Sequence, residues 1–248
     1  MTDVYQFVQE AYAHLRVEEY EKARVPLLGA IGLRDSINDP KVVSYILGAL
    51  GSTWLLTEHF EDEIAFFSEY IIRYSGDSTA YCERAAALWY SGRLQEAARD
   101  YSRALELQPN DTLSLSGRGQ VLAEMGEHRK AIEDLNLALE TLKSTSVPDP
   151  SWGKWYEQIE AFVHNGRGLA LAGLGETGPS IQEFEVSIRL SPENAWVYHN
   201  RAQVYDRAGS LAKAGEDYQQ ALAKKSPALS PNRRAHARAR VRELLNRL

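Results

Sequence analysis

The chain has 248 residues, of which 44% are hydrophobic and 25% charged, enough for one or two domains with buried cores and unlike the composition that keeps a chain disordered. Its single cysteine, Cys82, excludes an intrachain disulfide and a cysteine-rich zinc site. The net charge of −6 is lopsided, because Arg233, Arg234, Arg238, Arg240, Arg242 and Arg247 face only Glu243 within residues 226–248, leaving −11 on the first 225 residues. So acidic a body disfavours a phosphate backbone and suits a neutral or basic protein partner.

At the N-terminus, MTDVYQFVQEAYAHL puts Asp3 and Glu10 where a secretory signal carries positive charge and then an apolar run. No stretch approaches the roughly 18 apolar residues of a membrane span, so a cytoplasmic protein with no membrane contact is expected. A unit of 34 residues then recurs. Residues 4–37 keep its register through Ala11, Ala23, Leu27 and Ala30, and residues 44–77 follow it loosely through Gly51, Trp54, Phe60, Ile64 and Phe67, after six extra residues near 36–40. From residue 78 the repeat is plain: Arg84-Ala85, Arg118-Gly119, Arg167-Gly168 and Arg201-Ala202 recur at intervals of 34, 49 and 34 residues, and so do Gly92, Gly126, Gly175 and Gly209. Small residues Ala97, Ala131, Ser180 and Ala214 stand twelve positions after the first small ones, and Tyr101, Leu135, Phe184 and Tyr218 four positions after those. Apolar residues lie at helical spacing on both sides of each glycine, which predicts two short helices joined by a glycine turn. Pro109 and Pro192 close two of the units.

The 49-residue interval is fifteen residues longer than the unit, and the excess centres on KSTSVPDPSWGKW, 143–155. Its Ser, Thr and Pro predict a loop, and Trp152, Trp155, Tyr156, Ile159 and Val163 then predict an overlong first helix for the fifth pair. Beyond Ser230-Pro231, the stripe Ala237, Val241, Leu244, Leu248 predicts a helix that covers the last repeat, as an array requires.

This pattern resembles the tetratricopeptide repeat family, specifically over residues 78–225 and more weakly before residue 77. Glu63 and Tyr70 depart from it, standing where the family has small residues, which predicts looser or rearranged packing there. The resemblance implies an all-α, right-handed superhelical solenoid of about six helix pairs plus a C-terminal capping helix. The expected division is divergent pairs over 1–77, the main array over 78–229 with an inserted loop and extended helix at 143–160, and the cap over 230–248.

Each repeated arginine has an acid sixteen residues later, at Asp100, Asp134, Glu183 and Asp217. Charges so regularly partnered favour a structural ladder over an anion-gripping row. The six histidines show no second His or Cys at i+3 or i+4, so no metal is expected, and Cys82 has no assignable base. No nucleophile elbow, phosphate-cradling loop or H-E-x-x-H stands in the chain, so no catalytic residue and no cofactor is expected.

In the resembled family the first helices of successive pairs hold a partner protein on their inner face. The face opposite the packing residues offers Cys82, Glu83, Trp89 and Tyr90 in the third pair and Gln120 in the fourth. The fifth adds Phe162 and Asn165, and the sixth Trp196, His199, Asn200 and Gln203. Aromatics with adjacent amides suit an apolar or mixed protein segment. The family's chaperone-binding members grip a terminal carboxylate with lysines and asparagines, and no lysine lies on this face. The function these residues point to is a noncatalytic adaptor or chaperone-like binder. Two alternatives are an immunity protein or antitoxin for a cognate toxin, and nucleic-acid binding through the arginine-rich C-terminal helix.

Overall fold

The computed structural model describes residues 2–144, 153–224 and 231–245. Residues 145–152, the loop half of the insertion, lie outside them, as do Ser230 and Leu248 of the expected cap. The described residues form thirteen α-helices and one short 3-10 turn, Arg34–Ser36, with no strand among them. Six antiparallel pairs follow in order: α1 Thr2–Leu15 with α2 Tyr20–Gly32, α3 Pro40–Thr57 with α4 Phe60–Arg73, α5 Ser78–Tyr90 with α6 Leu94–Leu107, α7 Thr112–Glu124 with α8 His128–Ser144, α9 Gly153–Gly173 with α10 Thr177–Leu190, and α11 Ala195–Arg207 with α12 Leu211–Ala223. A final helix, α13, spans Pro231–Leu245. No described helix is long and apolar enough to cross a membrane. The helices gather into two compact units, Met1–Pro109 and Asn110–Leu248, so that α5 and α6 belong with the first.

Local chemistry sets the helix ends. Asp39, Asp77, Asp111 and Asn194 each accept a hydrogen bond from an amide of the following first turn, at 2.8–3.1 Å. All six intra-pair turns carry the same bond, an amide to the carbonyl five residues back, from Glu19 to His14, His59 to Trp54, Arg93 to Leu88, Glu127 to Leu122, Glu176 to Leu171 and Ser210 to Tyr205. That closure needs a left-handed residue just before the donor. Gly92, Gly126, Gly175 and Gly209 supply it at φ between +74° and +86°, whereas the first two turns use Glu18 and Glu58, both at φ +59°.

Inside each pair the small and large residues interlock. Ala97, Ala131, Ser180 and Ala214 are fully buried, as are Leu135, Phe184 and Tyr218, with Tyr101 almost so. Gly168 shows why the position is small, since a Cβ there would lie 2.6 Å from the Phe184 ring. Full burial of side chains this size contributes about 2 kcal/mol apiece, which is where the hairpins draw most of their stability. The charge ladder sits beside this core. Arg84–Asp100, Arg118–Asp134 and Arg201–Asp217 are two-pronged, with distances of 2.6–2.8 Å. Arg167 meets Glu183 at 3.2 Å, and His164 Nδ1 approaches the same carboxylate at 2.6 Å.

The second pair is rearranged, as its two departures predict. α3 packs on α2 and α5 more than on its own partner α4. Tyr70 is buried, with its hydroxyl between Arg34 Nε at 3.2 Å and Asp77 at 3.1 Å. Glu63 is 1% exposed and shares with Glu83 the space above Gly51, where an added Cβ would be 2.0 Å from Glu83 Oε2 and 3.2 Å from Glu63 Oε1. Burial, and then the Glu83 charge, push the Glu63 carboxyl up to about 9.

Candidate functional site

The first-helix faces of the two units differ in what they leave open. In the first unit Cys82 and Trp89 are buried, Glu83 and Tyr90 partly exposed. Tyr90 is held by a stacked contact with Phe60, ring centroids 5.8 Å apart and planes at 13°, and by Trp89 at 4.8 Å. The same unit presents aromatic residues that spacing alone did not single out. Tyr12 of α1 is 54% exposed and Tyr45 of α3 40%. Burial, followed by the charge of the neighbouring Tyr12, raises the Tyr45 hydroxyl. Glu83 Oε1 comes within 3.6 Å of the Cβ position of Gly48, three residues on from Tyr45. Tyr12 and Tyr45 thus offer exposed aromatic surface on α1 and α3, and the partly exposed Glu83 of α5 lies over the glycines of α3. The signal was present as Tyr12 and Tyr45 on the polar sides of α1 and α3, but it lay in the divergent pairs, where the register is weakest.

In the second unit the amides and aromatics knit the first helices together. Gln120 of α7 donates through Nε2 to the Phe162 carbonyl of α9 at 2.7 Å, and Asn200 of α11 donates to Asn165 Oδ1 at 2.9 Å. Phe162 and Trp196 rings stand 6.0 Å apart. Gln120, Asn165, Trp196, His199 and Asn200 are all buried, while Phe162 and Gln203 are partly exposed. Gln120 Oε1 and Asn165 Nδ2 lack a hydrogen-bond partner among the described residues.

Two of the buried residues, Trp196 and His199, are met by α13. The helix is a cap, with Ala237 and Leu244 buried against Ala202, Ala214 and Tyr218. It is more than a cap, however, because its polar side reaches along the first helices. The Arg233 guanidinium lies 4.8 Å over the Trp196 ring and donates to Glu124 Oε1 of α7 at 2.8 Å. His236 Nδ1 meets His199 Nε2 at 3.2 Å, and Arg240 forks onto Asp206 at 2.6 and 2.8 Å. Burial first, then His236 and Arg233, lower the His199 imidazole to about 4. Glu124, Leu169, His199, Gln203, Arg233 and His236 converge on a cavity of about 340 Å³. Among the described residues no group of three metal-binding side chains stands together.

The tetratricopeptide repeat profile matches this chain twice, over residues 78–111, the third pair, and over 197–223, the sixth. These two pairs are tetratricopeptide repeats. The chain is 30% identical over 132 residues to human tetratricopeptide repeat protein 13, a match covering 53% of this chain and 14% of that protein. It is also 30% identical over 108 residues to the Hsp70-Hsp90 organizing protein of Triticum aestivum, covering 44% of this chain and 16% of that one. The first three curated relatives are matched over only 14%, 24% and 22% of their own lengths. Among solved structures, a chain of the APC/C hetero-tetramer Cut9-Hcn1 superposes with a TM-score of 0.74 at 17% identity, over 98% of this chain and 43% of that one. A tetratricopeptide repeat protein from Parabacteroides merdae does so with a TM-score of 0.59 at 17% identity, over 99% and 93%. These likenesses are of fold, and the fold class is the all-α tetratricopeptide solenoid.

Proposed function

We propose that this repeat protein is a noncatalytic interaction scaffold that holds a neutral or basic partner segment on its first-helix faces. The observation that carries the reading is that Tyr12 and Tyr45 stand exposed on the first helices of the first unit, whose third such helix brings the partly exposed Glu83. Large aromatic surface left open, with a carboxylate on the same unit, is the composition of a recognition face, since aromatics supply most of the energy at interface centres and a carboxylate selects a cationic neighbour. Single exposed aromatics need no explanation, whereas two on adjacent first helices, in a chain whose body carries the negative charge, fit a partner of opposite sign. The second unit adds Trp196, His199, Asn200 and Gln203, where they are reached.

The test is affinity capture with the intact chain, comparing the parent with the double variant Tyr12→Ala, Tyr45→Ala by quantitative mass spectrometry. Ile72→Ala serves as a control at a residue 84% exposed on α4. A specific partner should fall at least tenfold with the tyrosine variant and stay with the control. Equal recovery by the tyrosine variant and the parent, with helical content unchanged, would remove the first-unit face from the proposal.

A further inference from the structure

We infer that α13 is a displaceable occupant of the second unit's inner face, standing in for an arginine-bearing helical segment of the partner. The inference rests on the protein-binding reading and adds to it the partner's chemistry and a means of control. What α13 places on that face is specific. One arginine bridges an aromatic ring on α11 and a carboxylate on α7, 109 residues away in sequence. A planar cation stacked on Trp196 and aimed at Glu124 is an arginine site by its geometry, because an ammonium lacks the plane to stack and the fork to bridge.

The way α13 is held argues that it can leave. Between residues 233 and 244 of α13, only Ala237 and Leu244 are buried. The neighbouring α12, by contrast, buries Ala214, Tyr218 and Ala221 and carries its share of the charge ladder through Asp217. Apart from Ala237, Leu244 and the partly buried Val241, α13 is attached by polar contacts: Arg233 to Glu124, His236 to His199, Arg240 to Asp206. Arg233, Glu124 and Arg240 keep between 22% and 27% of their side-chain surface exposed. Partly hydrated contacts of this kind each stabilise little. Beneath them lie Trp196 and His199, 2% and 3% exposed, the side chains a partner would seek. A segment tethered this closely competes at an effective concentration on the order of millimolar. It therefore sets a threshold that weak or mismatched basic segments do not cross. A partner that presents its own arginine to Trp196 and Glu124, with apolar residues for the sites of Ala237 and Leu244, takes the place of α13.

A labelled synthetic peptide with the sequence of residues 231–245 is the probe, titrated into the full chain by fluorescence anisotropy. The chain bearing Arg233→Ala has a weakened tether contact and an intact site. It should bind the peptide on the order of tenfold more tightly than the parent does, the change expected for about 1.4 kcal/mol. Adding Glu124→Ala to that chain should reverse the gain, and a peptide carrying Arg233→Ala should show it least. In the parent chain, amide hydrogen exchange of 231–245 should be faster than that of α12. Absence of saturable peptide binding by the Arg233→Ala chain, equal binding with and without Glu124→Ala, or protection of α13 equal to that of α12 would each show a fixed cap and overturn the inference. Because no partner enters this experiment and Tyr12 and Tyr45 lie on the other unit, such a failure leaves the scaffold reading to its own test.

Discussion

Glu63→Gln is expected to stabilise the protein at neutral and alkaline pH and to do nothing near pH 4.5. Glu63 is 1% exposed, its Oε2 has no partner among the described residues, and its carboxyl is pushed up to about 9 by burial and by Glu83. In the unfolded chain the same carboxyl titrates near 4.5. Between those values the folded protein holds a proton that the unfolded chain has released, so stability falls as pH rises through the window, by about 1.4 kcal/mol per unit. At pH 7 the distance from the unfolded value implies a penalty of about 3 kcal/mol, which scarcely changes if the folded value is nearer 8. Glutamine has the same shape and no charge to desolvate, so most of this penalty should disappear. Thermal melts of parent and variant, followed by circular dichroism at pH 4.5, 7 and 8.5, should show no difference at the first and a rise on the order of 5–10 °C at the others. An equal shift at all three pH values would mean that the effect is one of packing. No shift at pH 8.5 would mean that Glu63 is ionised in the fold.

Arg201→Ala should lower stability in urea titrations by about 3 kcal/mol, because it strands Asp217, a carboxylate only 5% exposed. The double change Arg201→Met, Asp217→Leu should cost clearly less, and equal losses would contradict a partnered charge. His199, held down at about 4, contributes in the opposite sense to Glu63. The unfolded chain takes up a proton below about 6.5 that the folded imidazole refuses, so this contribution to stability is lost as pH falls from 6.5 to 4. His199→Gln should flatten that part of the acid melt, and an unchanged slope would refute the assignment. Gly92→Ala should destabilise by about 1 kcal/mol, since a Cβ at φ +86° is strained. Glu58→Gly should gain up to about 1 kcal/mol from relief of the same geometry, measured as midpoint shifts in the same titrations.

The repeat was legible in the chain because every contact inside a hairpin falls at a constant sequence offset. Arg84 and Asp100 meet for the same reason that Arg201 and Asp217 do: sixteen residues of helix, turn and helix bring them side by side whatever surrounds them. The glycine turns were legible likewise, although Glu18 and Glu58, in the same left-handed geometry, were not, since neither residue type announces it. Contacts between hairpins have no such offset, because they depend on how far one pair is rotated and shifted against the next. The openness of Tyr12 and Tyr45, the meeting of Glu63 with Glu83 over Gly51, and the burial of Gln120, Asn165 and Trp196 were all decided at that level. So was the reach of Arg233 to Glu124. The sequence by itself determined a helical-hairpin array with an acidic body and an arginine-rich end. Only tertiary packing decided which first-helix face stands open and which is covered by the chain's own last helix, because a side chain's exposure is set by neighbours whose distance along the chain carries no period.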